Sequence, residues 1–115
     1  MALNIYGIPN CDTVKKARVW LDANGIDYTF VDYKKHGADV ADLSRWADRL
    51  GWEALLNRRG TTFRKLEEAQ RADLDRTRAI ALMAAHPSLI KRPLAERGET
   101  LLVGFDAREW AAALC

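Results

Sequence analysis

The spacing of apolar positions changes repeatedly along this chain, and each change marks an element. Leu3-Asn4-Ile5-Tyr6 alternates apolar and polar residues before Gly7 and Pro9, the pattern of a short strand running into a turn. From Thr13 the step lengthens to three and four residues. Val14, Ala17 and Leu21 share one helical stripe, Lys15, Lys16 and Arg18 fall elsewhere, and Asn24-Gly25 supplies a stop. Ile26 to Tyr33 returns to alternation and predicts a second strand, with Tyr28, Phe30 and Asp32 on one face and Thr29, Val31 and Tyr33 on the other. A strand, a helix of about three turns and a second strand form a βαβ unit, whose strands run parallel and whose crossover is right-handed.

The middle of the chain reads as helical. Val40, Leu43, Trp46, Ala47 and Leu50 recur at helical steps behind Asp39, a capping residue, and Gly51 closes the segment. A turn around Glu53 to Asn57, the loop Arg58-Arg59-Gly60-Thr61-Thr62 and a polar helix from about Arg64 to Gln70 follow. Asp75 can cap a further helix that buries Ile80, Met83 and Ala84 and ends at His86-Pro87. Two short apolar runs, Leu94 to Glu96 and Thr100 to Val103, flank Arg97-Gly98-Glu99 and read as a hairpin. Gly104-Phe105-Asp106 then opens a last amphipathic helix holding Trp110, Ala113 and Leu114. Trp20, Trp46, Trp52 and Trp110 lie on or beside these stripes and are assigned to core or partial core rather than to ligand stacking. There is no repeat or low-complexity linker, so residues 1–115 are expected to form one α/β domain with a helical segment at about 38–88.

Composition narrows the function. The 115 residues are 49% hydrophobic and 30% charged, ordinary for a globular protein that buries roughly two thirds of its surface on folding. Eighteen Lys and Arg against sixteen Asp and Glu leave a net charge of +2 with both signs interspersed, which argues against a nucleic-acid surface. No apolar run spans a bilayer, and the first residues lack the pattern of a leader, so a monomeric cytoplasmic protein without membrane contact is expected. Cys11 and Cys115 are distant in sequence, and His36 and His86 lack paired-ligand spacing. Neither a structural disulfide nor a metal site is expected from them.

Cys11 is the informative position, because it follows a predicted strand and turn and stands at the mouth of the first helix. Free N–H groups and the positive end of the helix dipole stabilise a thiolate there. Lys15, one turn along, reinforces the effect and Asp12 opposes it. The alternative is a small apolar cysteine packed at a helix start, since free cysteine is among the most buried residue types. Its location at the first βα turn favours chemistry. Arg58, Arg59, Arg64 and Lys65 make the densest basic patch, and Arg59 beside the Gly60-Thr61-Thr62 loop is a candidate for contact with an anionic substrate.

The segments Ile5-Tyr6-Gly7-Ile8-Pro9-Asn10-Cys11-Asp12-Thr13-Val14-Lys15-Lys16-Ala17 and Leu89-Ile90-Lys91-Arg92-Pro93-Leu94 resemble the two signatures of the ArsC/Spx family, most closely its YffB-like branch. Leu55-Leu56-Asn57-Arg58-Arg59-Gly60-Thr61-Thr62-Phe63-Arg64-Lys65-Leu66 is similar to the same branch, so the resemblance covers nearly the whole chain. It implies a thioredoxin-like fold, a mixed four-stranded sheet with an inserted helical segment, and a cis-proline at Pro93 facing Cys11. It also implies that Cys11 is the nucleophile and Arg92 an anion-binding residue beside it, a role suited to a guanidinium's paired hydrogen bonds. Asn10, Asp12, Thr13, Lys15, Arg59, Arg92 and Pro93 are the candidate substrate- or glutathione-binding residues.

Departures from the family pattern select among its functions. The family's arsenate reductases resemble one another in three arginines around the oxyanion, of which only Arg92 has a clear counterpart here. Asn57 takes the place of one, Gly104-Phe105 stands near another, and Arg58 or Arg59 is the available substitute. The family's redox-switch regulators resemble a Cys-x-x-Cys pattern, whereas this chain has Cys11-Asp12-Thr13-Val14. A mixed disulfide at Cys11 then needs an external thiol to resolve it, and a mobile terminal Cys115 is a poor resolving group. The expectation is a glutathione-dependent thiol-disulfide reductase with no permanently bound cofactor, glutathione as cosubstrate and a small or protein disulfide as substrate. The alternatives are a non-enzymatic regulator that binds RNA polymerase through its helical segment, and an arsenate reductase.

Overall fold

The computed structural model describes residues 2–115, which group into two compact units. One ends at His36 and resumes as Arg92–Cys115; the other is Gly37–Lys91. The first opens with strand β1 (Asn4–Gly7), helix α1 (Asp12–Ala23) and strand β2 (Thr29–Asp32). β1 and β2 pair in parallel from Asn4↔Thr29 to Gly7↔Asp32. A parallel pair cannot be closed by a tight turn, and α1 supplies the crossover. The short helix α2 (Tyr33–His36) follows β2.

The expected second strand, Ile26 to Tyr33, is shortened at both ends for local reasons. The Ile26 N–H donates to Leu21 O at 3.0 Å and Gly25 takes a positive φ of 66°, so the residues after α1 complete its C-terminal turn. At the other end the Asp32 carboxylate accepts from the N–H groups of Lys34 (3.0 Å) and Lys35 (3.2 Å). That local bonding starts α2 and takes Tyr33 out of the strand.

In the second unit, α3 (Val40–Leu50) is capped by Asp39, which accepts from Ala41 N–H at 2.8 Å, and it buries Leu43, Trp46 and Ala47. The single turns α4 (Trp52–Leu55), α5 (Thr61–Arg64) and α6 (Glu68–Arg71) follow, then α7 (Arg76–Ala85) and a 3-10 turn, Pro87–Leu89. The expected helix from about Arg64 to Gln70 is two separate turns. Lys65 ends α5, and Glu67 and Gln70 form a reciprocal capping box that starts α6 afresh. Asp75 caps α7 through Arg78 N–H at 2.8 Å. Asn57 N–H donates to Leu89 O and Lys91 N–H to Leu55 O, both at 2.7 Å, around a single antiparallel bridge between Leu56 and Ile90.

Back in the first unit, β3 (Leu94–Arg97) and β4 (Thr100–Val103) form the expected hairpin, and α8 (Ala107–Leu114) ends it. The sheet order is β2-β1-β3-β4, with β3 antiparallel to both β1 and β4. This is the mixed four-stranded sheet anticipated for a thioredoxin-like fold. Its core joins Leu3 and Ile5 from the β1 region, Ala17 and Leu21 of α1, Ala95 of β3, and Trp110 and Leu114 of α8. Trp110 is fully buried and its indole N–H donates to Gly104 O at 3.0 Å, which satisfies the one polar atom of that side chain. Trp20 and Phe105 pack at its edges, with ring centroids 6.2 and 5.0 Å from it. Trp46 is also buried, whereas Trp20 and Trp52 are only half-buried.

Gly7 explains how closely α1 approaches the strand that precedes it. A Cβ there would lie 3.0 Å from Val14 Cγ2, so a side chain at position 7 requires the buried Val14 to give way by a few tenths of an ångström. α8 depends on a different local device. The Asp106 carboxylate accepts from Arg108 N–H at 2.9 Å and Glu109 N–H at 3.0 Å, so two of the helix's free donors are satisfied. Asp106→Ala is expected to lower unfolding free energy by about 1 kcal/mol while Asp106→Asn retains most of it, measured by urea denaturation.

Candidate active site

Cys11 occupies the N-cap of α1 with extended backbone angles (φ −128°, ψ 125°), and its carbonyl accepts the first helical bond from Lys15 N–H at 2.9 Å. A serine or aspartate would normally stand here and use its oxygen to cap the helix. With sulfur instead, the N–H groups at the helix start face a thiol and favour its ionised form. Partial burial pushes the Cys11 thiol up. The N–H of Val14, the Arg92 side chain, the N–H of Thr13 and the Arg92 charge together outweigh burial and hold it below the ordinary thiol range.

Arg92 reaches Cys11 because of how the chain enters β3. The Arg92–Pro93 peptide bond is cis. Pro93 is buried, and its carbonyl accepts from Gly104 N–H at 2.9 Å, which ties the strand entrance to the end of β4. β3 lies beside β1, so the residue before Pro93 arrives at the same sheet edge as the loop that leads from β1 to Cys11. The half-buried guanidinium both hydrogen-bonds the sulfur and contributes a positive charge.

Tyr33 is the residue that sequence reasoning missed. Only 2% exposed, it lies within electrostatic reach of both Arg92 and Cys11. Burial pushes its phenol far above the usual range, Arg92 pulls it back in part, and the Cys11 thiolate raises it further. The phenol therefore stays protonated, a neutral polar group against a cation and a thiolate. The signal for it lay in topology. Parallel pairing of β1 and β2 delivers the residue after β2 to the same edge as the loop after β1, whereas strict alternation counted Tyr33 as one more strand position.

The remaining candidate residues fall into two groups. Asn10, Asp12, Thr13 and Lys15 surround Cys11 in sequence with exposed side chains, and Thr13 acts through its backbone N–H. Arg59 belongs to the Gly37–Lys91 unit and lines a cleft of about 530 Å³ there with Glu53, Asn57, Arg58 and Lys91. Its own N–H donates to Asn57 Oδ1 at 3.2 Å. A Cβ at Gly60 would lie 2.8 Å from Asn57 Nδ2, so a side chain there would displace the Asn57 amide. Arg58 lies over the Trp52 ring at 5.4 Å, so part of the basic patch is spent on an aromatic contact. Cys115 is free and exposed, and His36 and His86 are exposed. Among the described residues no cluster of His, Cys, Asp and Glu could hold a metal ion, and no helix is long and apolar enough to cross a membrane.

Known proteins place this geometry in a family. A structure of a protein named YffB is similar, at 55% identity and a TM-score of 0.96, covering 99% of this chain and 100% of its own. An arsenate reductase (ArsC) related protein from Brucella melitensis is 54% identical with a TM-score of 0.78, over 97% of this chain and 93% of its own. The global transcriptional regulator Spx of Streptococcus pyogenes is 30% identical over 97% of this chain and 84% of its own length. The ArsC family model matches residues 6–113, from within β1 to the last turn of α8, so both Cys11 and the Arg92-Pro93 pair lie inside the match and the chain belongs to the ArsC family.

Proposed function

We propose that this chain is a thiol-disulfide reductase that uses Cys11 as its only nucleophile and glutathione as its reductant. The observation that carries the reading is a thiol held below its ordinary pKa at a helix N-terminus against Arg92. The Cys11 thiolate attacks one sulfur of a disulfide, the S–S bond breaks, and the second substrate sulfur leaves as a thiolate. A glutathione thiolate then displaces the substrate from the Cys11 sulfur, and a second displaces Cys11 and leaves glutathione disulfide. Two glutathione thiols are oxidised and one substrate disulfide is reduced. The two substrate thiolates take up the protons given up by the two glutathione thiols, and Cys11 leaves as the thiolate it was at the start.

Three features of the chain support glutathione over an internal resolving thiol. The position three residues after Cys11 is Val14, fully buried and without a thiol. Cys115 is exposed at the end of α8. Arg92 offers the planar, paired donors that suit a carboxylate of glutathione as well as the reacting sulfur. Arsenate is the weaker substrate candidate, because of the three arginines that the resemblance implies only Arg92 has a clear counterpart, with Arg58 or Arg59 as the available substitute. The similarity to Spx favours a second reading, a regulator that binds RNA polymerase. Recovery of polymerase with the Cys11→Ser protein, joined to absence of reductase turnover by the wild-type protein, would select it.

Cys11→Ser is expected to reduce glutathione-dependent disulfide turnover to background. Wild-type protein incubated with oxidised glutathione should carry one adduct, mapped to Cys11 by mass spectrometry. Turnover undiminished in the serine variant, or an adduct confined to Cys115, sinks the mechanism.

The pH dependence follows from the lowered thiol pKa. Thiolate, and with it the alkylation rate of Cys11, rises as pH climbs through the folded value and levels off above it. The midpoint is expected below the model-peptide value of about 8.5, and Arg92→Met should move it upward by removing a hydrogen bond and a charge. A wild-type midpoint at or above the peptide value contradicts the thiolate assignment.

A further inference from the structure

Val19 is an apolar side chain left 67% exposed on α1, and it does not stand alone. With Trp20, Ala23 and Phe105 it walls a shallow groove of about 590 Å³ within the first unit, and Lys15 and Lys16 line the groove toward the start of α1. Trp20 is held by Phe105 and Trp110, with centroids 6.0 and 6.2 Å away, so the floor is fixed by the core. The helix buries Val14, Ala17 and Leu21 on its other side, so Val19 adds nothing to that core stripe.

The groove is aligned with the nucleophile. Positions 11, 15, 19 and 23 are four residues apart and form one ridge along a helix, with Cys11 at its head. Eight residues at about 1.5 Å each put Val19 roughly 12 Å from Cys11 along the axis. An extended chain covers that distance in three or four residues. No acidic side chain lines the groove, and neither lysine makes an ion pair among the described residues. A segment that crosses from Cys11 to Val19 therefore meets positive charge first and apolar surface second.

We propose that this groove receives the segment flanking the disulfide-bonded cysteine of a protein substrate. An apolar side chain three or four residues from that cysteine packs on Val19 and Trp20, and carboxylates between them face Lys15 and Lys16. The proposal rests on the thiol-disulfide reading of Cys11 and names protein disulfides as its substrate class. Exposed charge pairs contribute little affinity. The lysines set direction along the ridge, and the apolar contact supplies the preference.

Two synthetic ten-residue peptides test this, one with Leu four positions from its cysteine and Glu between them, the other with Ser and Lys at those places. As glutathione mixed disulfides, the first should be reduced with kcat/KM about tenfold higher, the scale of burying one apolar side chain. Val19→Asp should erase that preference while turnover of hydroxyethyl disulfide is retained. Equal rates for the two peptides, or a preference that survives Val19→Asp, overturn the proposal. Binding is read separately with Cys11→Ser and versions of the peptides carrying Ser for Cys. The Val19 amide and Trp20 indole NMR signals should shift with the first peptide only. Such shifts without turnover of any disulfide by wild-type protein keep the groove and remove the reductase reading. Turnover without these shifts does the reverse. Concentration-dependent dimerisation that moves the same signals without peptide assigns the groove to a second copy of the chain and overturns the proposal.

Discussion

Parallel pairing of β1 and β2 is the constraint on which the site depends. Parallel neighbours must be joined by a segment that leaves one end of the first strand and returns to the opposite end of the second. The loop after β1 and the residue after β2 consequently meet at one edge of the sheet, and α1 has to begin there. A helix that begins at that edge presents unsatisfied N–H groups to whatever residue caps it. Here that residue is Cys11, and the residue after β2 is Tyr33. The antiparallel β3 enters from the same edge, so Arg92 is the third group delivered by topology rather than by sequence proximity.

The electrostatic consequence is a balance with a clear direction. Burial of a thiol opposes ionisation, yet two backbone donors and one guanidinium lie close enough to reverse the sign. Asp12, adjacent in sequence and exposed in the first turn of α1, is not among the groups that shift the thiol. Tyr33 is buried in the same field and responds the opposite way: desolvation dominates, and the phenol keeps its proton. One neighbourhood thus holds an acid that is easy to ionise and another that is very hard to ionise. The difference arises from how deeply each is buried and from the backbone N–H groups that only the thiol receives.

Much of this was legible in the sequence where local rules decide. The α1 stripe of Val14, Ala17 and Leu21, the caps Asp39 and Asp75 and the hairpin from Leu94 to Val103 follow from periodicity and capping chemistry, and all are present. The thiolate-favouring position of Cys11 was legible for the same reason. The partnership with Arg92 was not read from local pattern, because eighty-one residues separate the two and only the family resemblance joined them. The misread boundaries share a cause. Asp32 and Glu67 each use a side chain to start a helical turn, an option that alternation and helical periodicity do not register. Tyr33 escaped notice because its significance appears only when β2 is laid parallel to β1.

The backbone pairing around Leu56 and Ile90 has a further consequence for how this architecture varies. Asn57 N–H to Leu89 O and Lys91 N–H to Leu55 O close the base of everything between them. A loop tied at its base tolerates changes in length beyond the tie, since doubling a flexible loop adds only about 0.6 kcal/mol of closure cost. The exposed stretch from Glu67 to Asp73, which holds only the single turn α6, is accordingly the place where residues can be gained or lost most readily. Evolution can remodel that tip while α3 and α7 keep their own packing.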